Sequence, residues 1–442
     1  MSHTTFTAAA KAAASVLEQQ LSAITPSVQS LVVAYSGGVD STLLLLIARH
    51  VAQHHGYPLQ AVYVHHGLSD NATYWQQHCE SVCREQDIPF VAQSVTIKRT
   101  ARVSTEAQAR EARYAVLTAH CRKHQAALLL GHHQQDQLET VLLQLKRGAG
   151  PKGLAGMGRE QRRDGVWLLR PLLDMTKAAV TEAVTQSGLR WIEDESNQDT
   201  TFERNFLRHE VVPLLQTRWP QFAATVSRSA ALCAEQTALI EEEAQEKLSA
   251  LVDNTGSVCT DGLLRYSVQW QRALLRQWLS SFVGTIPSHA QLNEIQAMMA
   301  ARADAQPEVR VGEVTVRRFN ARLYAVPASE VQVPDVTLVV PGETVTLDWL
   351  GCDVCIADDD PETCNVSYKV VTGMPPVSVK PLSSGFSKPL NKWLKAWLVP
   401  PWQRQRVGVL YRDDTPAAII LPQRIERLVG FESLGITHSE RA

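Results

Sequence analysis

The sequence predicts an α/β protein built on a doubly wound parallel sheet. Short apolar segments alternate with amphipathic segments through the first half of the chain, and this alternation is typical of βαβ units. A chain of 442 residues is too long for one ordinary core, so we expect more than one domain. We place a domain of alternating strands and helices at 1–216, a mostly helical domain at 217–327 and a small mixed α/β domain at 335–442.

The composition is that of a soluble globular protein, with 45% hydrophobic and 20% charged residues. No apolar run is long enough to span a bilayer, and Lys11 interrupts the alanine-rich segment 8–14, which predicts a short helix rather than a signal peptide. We therefore expect a cytoplasmic protein without a membrane partner. A net charge of −2 excludes a chain that is basic throughout, so any RNA contact must come from local patches.

The cysteines and histidines do not predict a metal site. Eight cysteines in a chain of this length are not a disulfide framework. Cys352, Cys355 and Cys364 could begin a zinc site, but a fourth ligand is not evident, so we expect ordinary thiols. The histidine pairs at 65–66 and 132–133 lack the spacing of a metal-binding helix.

The predicted elements of the first domain follow a regular order. Helices are expected at 6–24, 40–53, 71–87, 104–124 and 175–187, and strands at 30–35, 59–64, 90–95, 126–130 and 166–169. Such strands form a parallel sheet with helices on both faces. Ligands bind these sheets beyond the carboxyl ends of the strands, where the motifs described next are placed.

The turn between the first strand and the second helix is the most informative segment. Its residues are Ser36, Gly37, Gly38, Val39, Asp40 and Ser41. Adjacent glycines let the backbone approach a phosphate, and the helix start adds unpaired N–H groups and the positive end of the helix dipole. The segment therefore predicts an anion cradle, with an ordinary capped turn as the plainer alternative.

Asp40 makes this cradle unusual, because a carboxylate beside phosphates needs a cation or a donor group to compensate its charge. The spacing of a Walker A loop is absent, since no Gly-Lys-Ser/Thr follows. We therefore predict a bound nucleotide with Mg²⁺, held by the six residues of the turn.

Two helices carry further candidate residues. Arg110 and Arg113 share one helix face, as either a phosphate site or a solvated basic stripe. Asp136, Glu139 and Thr140 share a face near a helix start. The paired carboxylates could bind a substrate ammonium, hold magnesium or cap the helix.

Two loops follow these helices. Segment 146–156 is glycine-rich and basic, so we expect it to be mobile and able to close over a polyanion, with an ordinary surface loop as the alternative. Segment 191–199 is dense in acidic and amide residues and precedes Arg204, Asn205 and Arg208. This arrangement is either a helix cap with a local salt bridge or a second catalytic wall.

Together these motifs resemble the bacterial tRNA(Ile)-lysidine synthetases, a family of the pyrophosphate-loop ATPase superfamily with a Rossmann-like fold. The matching segments are 36–41, 64–68, 109–114, 131–140, 147–150, 170–173, 196–197 and 204–208. They lie at compatible spacings through the first half of the chain, so the combination is far more specific than the glycine turn alone.

The resemblance implies that ATP adenylates the 2-carbonyl oxygen of the wobble cytidine in an isoleucine tRNA with a CAU anticodon. Free L-lysine then attacks that carbon and expels AMP, which changes codon reading from AUG to AUA. In this reading Asp136 and Glu139 orient the lysine and take its proton, while Arg113 and Arg204 suit either the α-phosphate or the developing negative charge. Asp40 and Asn205 complete the predicted catalytic set, and a homodimer is a candidate assembly.

The sequence departs from the family pattern at Gln135, where similar enzymes usually carry an aspartate before Asp136. We assume that Asp136 keeps the main role. The enzymatic alternative is another pyrophosphate-loop enzyme such as a tRNA thiolase, but the catalytic cysteine pair of those enzymes is absent from 126–216. A non-catalytic, ATP-gated tRNA-binding protein is the alternative from a different class.

The second half of the chain is less informative. Helical periodicity dominates 221–251 and 261–282, and a two-residue period at 309–316 and 323–326 predicts strands. In the last domain we expect a helix with one lysine face and one apolar face. Its lysines are Lys388, Lys392 and Lys395, and its apolar residues are Leu390, Trp393, Leu394 and Trp397. The lysines either contact tRNA phosphates, as the resemblance favours, or are simply solvated.

Overall fold

The computed structural model describes residues 6–65, 71–95, 105–193, 198–284, 287–301, 307–328, 332–357 and 367–440. The chain forms two compact units, 1–240 and 241–442. The three predicted domain boundaries remain predictions. In the described part of the chain, no helix is both long enough and apolar enough to cross a membrane.

The first unit alternates helices and strands as predicted. Its helices are α1 (Ala8–Ala23), α2 (Val39–His55), α3 (Ala72–Glu85), α4 (Thr105–Lys123), α5 (Gln134–Lys146), α6 (Pro151–Leu154), α7 (Lys177–Ser187), α8 (Glu203–Phe206), a π-helix (Leu207–Val211) and α9 (Val212–Arg218), and α10 (Phe222–Ser249) continues past its boundary. Its strands are β1 (Ser30–Ala34), β2 (Leu59–His65), β3 (Phe90–Ser94), β4 (Ala126–Leu129), β5 (Glu160–Arg163) and β6 (Val166–Leu169).

The described strands of this unit form one sheet in the order β3-β2-β1-β4-β6-β5. The pairings are parallel from β3 to β6, and β5 runs antiparallel to β6 at the edge. Strand order reverses between β1 and β4, because the chain moves outward to β2 and β3 before it returns to β4. This is the topological switch point at which ligands bind in open α/β sheets.

Helices cover both faces of the sheet, which confirms the doubly wound fold. On one face, Val33 of β1 packs in a core with Leu17 of α1 and Leu44 of α2. On the other face, Val32 packs in a core with Leu117 of α4. Adjacent residues of β1 thus point to opposite cores, which explains why its sequence is continuously apolar.

The glycine-rich loop is in part helical, a feature that we did not expect from the sequence, while its mobility stays a prediction. Residues Pro151–Leu154 form the one-turn helix α6 inside the segment that we expected to be mobile. The Gln137 side chain fixes the next turn, because its Nε2 donates to the Met157 carbonyl at 3.1 Å and its Oε1 accepts from the Met157 N–H at 2.8 Å. A buried glutamine from α5 therefore orders the end of this loop.

The second unit begins with helices and ends with antiparallel sheets. Its first part contains β7 (Val258–Cys259), α11 (Thr260–Leu263), α12 (Val268–Ser280), α13 (His289–Met299), β8 (Glu308–Val311), β9 (Val314–Phe319) and β10 (Arg322–Pro327). The predicted strand 309–316 is in fact a hairpin, in which β8 and β9 are joined through Gly312 at a φ of 54°. The described strands pair in the order β7-β10-β9-β8.

The carboxyl-terminal part is dominated by strands. They are β11 (Val336–Val339), β12 (Thr344–Leu347), β13 (Cys352–Ile356), β14 (Tyr368–Val371), β15 (Ser378–Val379), β16 (Lys388–Pro389), β17 (Gly408–Arg412), β18 (Thr415–Leu421), β19 (Arg424–Arg427) and β20 (Ile436–Glu440), with helices α14 (Leu390–Ala396) and α15 (Pro401–Arg404) between them. The larger of its described sheets has the order β11-β14-β17-β18-β19, and its pairings are antiparallel.

The predicted lysine face of the last domain needs correction. Lys388 lies in β16, before α14 begins, and its Nζ sits 4.9 Å from the centroid of the Trp393 ring. It therefore contacts the aromatic side that we assigned to the opposite face. Only Lys392 and Lys395 belong to the helix, and both are exposed.

Candidate active site

The turn after β1 is closed by its own hydroxyl groups. The Ser36 N–H donates to Ser41 Oγ at 3.3 Å, and the two serine hydroxyls lie 3.2 Å apart. Ser41 Oγ also donates to the Gly38 carbonyl at 2.9 Å. Gly38 begins α2 in an extended conformation and provides no side-chain cap, so the first N–H groups of the helix are available to an anion at the switch point.

Gly37 is required for steric reasons. Its φ of +82° is left-handed, and a Cβ there would lie 2.9 Å from Cys79 Sγ and 3.0 Å from Ile192 Cδ1. Its carbonyl accepts a hydrogen bond from the Ile192 N–H at 2.9 Å. The turn is thus packed against α3 and the segment after α7, and no other residue fits this position without displacing both neighbours.

Asp40 lies in the first turn of α2 and is held by a distant lysine. Lys177 Nζ donates to both carboxylate oxygens, each at 2.8 Å. His133 Nε2 lies 3.5 Å from Asp40 Oδ1. The loop after β4 can approach Asp40 because it has a glycine at position 131. A Cβ at Gly131 would lie only 3.1 Å from the Asp40 backbone.

His133 lies between the two aspartates of the site. Its Nδ1 accepts from the Gln135 N–H at 3.2 Å, so the ring proton is assigned to Nε2. Nε2 lies 3.5 Å from both Asp40 Oδ1 and Asp136 Oδ2. One imidazole therefore links the carboxylate of the glycine turn to the carboxylate of α5.

Asp136 caps α5 as one of our alternatives predicted. Its Oδ2 accepts from the His133 N–H at 3.0 Å in a capping box. Burial raises the pKa of Asp136, but its electrostatic interactions with His133 and His132 and the backbone hydrogen bond from His133 outweigh burial and lower that pKa to about 2. The carboxylate is therefore ionised at neutral pH.

Glu139 is fully buried one turn further along α5. Arg208 Nε donates to Glu139 Oε1 at 2.7 Å, and its Nη2 donates to Oε2 at 3.0 Å. The same Nη2 donates to Asp136 Oδ1 at 3.1 Å, and Arg204 Nε lies 3.2 Å from Glu139 Oε2. Burial raises the pKa of Glu139, and the arginine fork opposes that rise.

The π-helix helps to place these arginines. Arg204 and Arg208 are four residues apart, and the π-helix begins between them at Leu207. Such single-turn π segments occur often at functional sites. Arg204 Nη2 also donates to Thr140 Oγ1 at 2.8 Å, so Thr140 joins the same group.

A second basic group surrounds Tyr114 of α4. Arg110, Arg113 and Arg163 place their guanidinium carbons 5.3, 5.9 and 4.5 Å from the centroid of its ring. Burial raises the pKa of Tyr114, but the positive charges of Arg110, Arg170 and Arg113 outweigh burial and lower it. Arg110, Arg113 and Arg163 thus form one basic cluster around Tyr114, which we call the basic wall.

Arg170 connects this wall to the loop after β4. Its Nε donates to His132 Nδ1 at 3.2 Å, and its Nη1 donates to the Gly158 carbonyl at 2.7 Å. Burial holds the pKa of His132 well below its usual range, and the nearby arginine charge adds to this effect. His132 is therefore a neutral acceptor at physiological pH.

The structure brings most of the predicted site residues to one edge of the sheet. Ser36, Gly37, Gly38, Val39, Asp40 and Ser41 form the turn and the helix start, and Asp136, Glu139 and Arg204 meet beside them. Arg113 lies on the basic wall. Burial is the main cause that lowers the pKa of Arg113, and the nearby charges of Arg110 and Arg204 lower it further. Asn205 instead donates to the Asp199 carbonyl at 2.9 Å and supports the loop before α8.

Sequence reasoning assigned no role to Lys177 or His133, and it left Arg208 between two readings. The sequence gives only a weak indication of a role for Lys177. A lysine at the start of a helix is unfavourable, which marks the position as unusual, but nothing in the local sequence indicates its partner. Residues 66–68, 194–197 and Cys364, which carried parts of the sequence argument, lie outside the described residues. Among the described residues, no three His, Cys, Asp or Glu side chains are grouped to hold a metal ion.

Comparison with known proteins identifies the family to which the chain belongs. A PP-loop domain family matches residues 10–215, the TilS substrate binding domain matches 259–324, and the TilS substrate C-terminal domain matches 369–421. The tRNA(Ile)-lysidine synthase of Vibrio vulnificus is 40% identical over 91% of this chain and 93% of its own length. That of Serratia proteamaculans is 38% identical over 87% of this chain and 89% of its own. The chain belongs to the tRNA(Ile)-lysidine synthase family.

Proposed function

We propose that the protein is an ATP-dependent ligase that joins free L-lysine to carbon 2 of the wobble cytidine in tRNA(Ile) with a CAU anticodon. The observation that carries the proposal is the Asp40–His133–Asp136 bridge at the switch point of a PP-loop sheet. The bridge brings the turn after β1, which is our proposed phosphate site, next to Asp136, which is our proposed partner of the substrate ammonium. A cytoplasmic location fits these substrates.

The reaction has two steps. The 2-carbonyl oxygen of cytosine bonds to the α-phosphorus of ATP, and the bond to pyrophosphate breaks. The ε-nitrogen of lysine then bonds to carbon 2, loses a proton, and AMP departs with the oxygen. Both steps need negative charge to be stabilised and the second needs a proton acceptor, so basic groups and carboxylates must lie side by side.

The turn after β1 and the start of α2 are the proposed phosphate site, because they offer backbone N–H groups and the positive end of a helix dipole. Arg113 and Arg204 are the proposed partners of the α-phosphate. Asp40 fits a Mg²⁺ that arrives with ATP, because magnesium commonly takes one or two carboxylates and completes its shell with phosphate and water oxygens. When bound, the ion would neutralise charge on the departing pyrophosphate.

Asp136 and Glu139 have different proposed roles. The low pKa of Asp136 suits it to hold the ammonium of the substrate lysine rather than to accept a proton. Burial raises the pKa of Glu139, which makes it the better acceptor. Both oxygens of Glu139 are held by Arg208, so one of them must be released when the substrate binds.

The carboxyl-terminal part carries a basic surface that supports a tRNA contact. Between Ser367 and Arg412 the sequence has no aspartate or glutamate, although the chain as a whole has a charge of −2. The cations of this stretch are Lys369, Lys380, Lys388, Lys392, Lys395, Arg404, Arg406 and Arg412. Lys369 is paired with Asp414 at 3.1 Å. The other cations of this stretch, which contains no acidic residue, favour a polyanion such as the RNA backbone.

Labelled lysine, ATP, magnesium and unmodified CAU-anticodon tRNA(Ile) test the proposal directly. We expect label in the tRNA with the wild type and its loss in Asp40→Ala and Asp136→Ala. Glu18→Gln, at a half-buried position of α1 whose side chain pairs with His55 rather than with a residue of the site, is the control and should keep full incorporation. If folded wild-type protein converts ATP to pyrophosphate but no label enters the tRNA, lysine is not the nucleophile and another one must be sought.

A further inference from the structure

The Lys177–Asp40 pair stands out from the other ion pairs of the site. Glu139 is fully buried, whereas the side chains of Lys177 and Asp40 are 42% and 29% exposed. The pair is therefore open to solvent at the mouth of the phosphate-binding turn. An ion pair of this exposure contributes little to folding.

The position of Lys177 also argues against a role in helix stability. It is the first residue of α7, directly after the capping Thr176, whose side chain accepts from the Ala179 N–H. A cation there faces the positive end of the helix dipole, which is unfavourable. Asp40 occupies the favourable position for an acid in the first turn of α2. The position of Lys177 is therefore unfavourable for α7 itself, and its contact with Asp40 is the favourable interaction that it makes.

The contact is nevertheless well formed. Lys177 Nζ reaches both oxygens of Asp40 at 2.8 Å, although the two residues are 137 positions apart in the chain. His133 Nε2 approaches the same carboxylate at 3.5 Å from the other loop. Both carboxylate oxygens are therefore already in contact with a cation, so a metal ion that uses them must replace the ammonium.

We propose that Lys177 is a built-in counter-ion of Asp40, which the magnesium of the ATP complex displaces. In the free enzyme the ammonium neutralises Asp40 and disfavours metal binding without nucleotide. With magnesium–ATP bound, Asp40 would hold the ion, and the Lys177 ammonium would pair with the phosphates, whose charge attracts it. Lys177 is in this sense a positioning residue, and the inference rests on the proposed role of Asp40.

Binding of Mn²⁺ to the full-length protein without nucleotide tests the inference, with water-proton relaxation as the readout. Lys177→Met removes the competing charge, so we expect Mn²⁺ to bind about tenfold more tightly than to the wild type. Lys177→Arg keeps the charge and should bind Mn²⁺ as weakly as the wild type. Adding Asp40→Asn to Lys177→Met should abolish the gain.

ATP binding with magnesium provides the second readout, by equilibrium dialysis. The same Lys177→Met protein should bind magnesium–ATP more weakly than the wild type, because the phosphates lose a cation. Unchanged or weaker Mn²⁺ binding by Lys177→Met would overturn the inference, as would a gain that survives Asp40→Asn. If Lys177→Met does not fold, as judged by its thermal transition, Lys177→Gln replaces it.

The two proposals can fail separately. The wild-type protein could bind magnesium–ATP and incorporate lysine while Lys177→Met leaves the Mn²⁺ affinity unchanged. That result would reject the counter-ion role of Lys177 and leave the proposed reaction intact. Wild-type protein that forms no lysidine, together with tighter Mn²⁺ binding by Lys177→Met, would remove the proposed reaction and keep the exchange at Asp40.

Discussion

Arg208 grips Glu139 through a two-point fork, with Nε to Oε1 at 2.7 Å and Nη2 to Oε2 at 3.0 Å. Glu139 is fully buried, so loss of the fork leaves a carboxylate with poor compensation. We expect Arg208→Gln to lower the unfolding free energy of the first unit by about 3 kcal/mol. Chemical denaturation followed by tryptophan fluorescence measures this change.

A double-mutant cycle separates the pair from its surroundings. Glu139→Gln removes the buried charge, so Glu139→Gln with Arg208→Gln should lose much less stability than the sum of the two single changes. Additive losses would show that the fork contributes little. Lysine incorporation should fail in all three variants, because the proposed acceptor is changed or misplaced.

Gly37 and Gly56 give a matched test of the phosphate-binding turn. They lie near opposite ends of α2, with φ values of +82° and +74°. A Cβ at Gly37 would collide with Cys79 and Ile192, whereas a Cβ at Gly56 meets nothing within 4 Å. We therefore expect Gly37→Ala to weaken ATP binding by about tenfold or more, because a strain of 1–3 kcal/mol falls on the turn itself.

Gly56→Ala has the same backbone penalty without the collision. It should lower stability by about 1 kcal/mol and leave the ATP dissociation constant unchanged. Isothermal titration with ATP and magnesium compares the two variants. Equal loss of ATP affinity in both would mean that general destabilisation, rather than the shape of the turn, controls binding.

Local pattern was sufficient to predict the architecture and part of the site. The apolar strands fixed the order of the elements, and the three-residue spacing of Asp136 and Glu139 predicted that both would face the same way, as their shared contact with Arg208 confirms. Helical spacing is a local property, so it can be read from the sequence alone.

Long-range contacts were not predictable in the same way. Lys177 reaches Asp40 across 137 positions, and no local pattern specifies that contact. Lys388 has the spacing of a helix residue but pairs in a strand, because Val379 of β15 provides a partner that the sequence pattern does not reveal. Tertiary pairing decided both cases.

The depressed pKa of Asp136 predicts an acid-dependent loss of stability. An acid whose pKa falls from 3.8 when unfolded to about 2 when folded stabilises the protein above the higher value. That contribution, roughly 2 kcal/mol, is lost as the pH falls from about 4 toward 2. Asp136→Asn should therefore be less stable than the wild type at pH 7.

Denaturation midpoints measured between pH 7 and pH 2 check this prediction. The difference between wild type and Asp136→Asn should be constant above about pH 5 and should shrink below pH 4. A difference that stays constant down to pH 2 would show that the Asp136 carboxylate is not stabilised by its charge. Glu160→Gln, at an exposed position of β5, serves as the comparison.

The lysines of α14 should contribute to tRNA affinity through phosphate contacts. Lys392 and Lys395 are exposed and lie in a stretch without acidic residues. Each contact with a phosphate steepens the fall of log K with log salt by about 0.7 to 0.9. We expect Lys392→Gln with Lys395→Gln to weaken tRNA(Ile) binding at low salt and to flatten that slope by about 1.5.

A control of equal charge separates this local effect from net charge. Lys11→Gln with Lys123→Gln also removes two exposed cations, from α1 and the end of α4. Filter binding over a range of potassium chloride concentrations should show the flattened slope only in the α14 variant, while lysine incorporation at saturating tRNA stays at the wild-type rate in both. Identical slopes for the two double variants would mean that the α14 lysines make no specific phosphate contact, because tRNA binding would then depend only on the total charge of the protein.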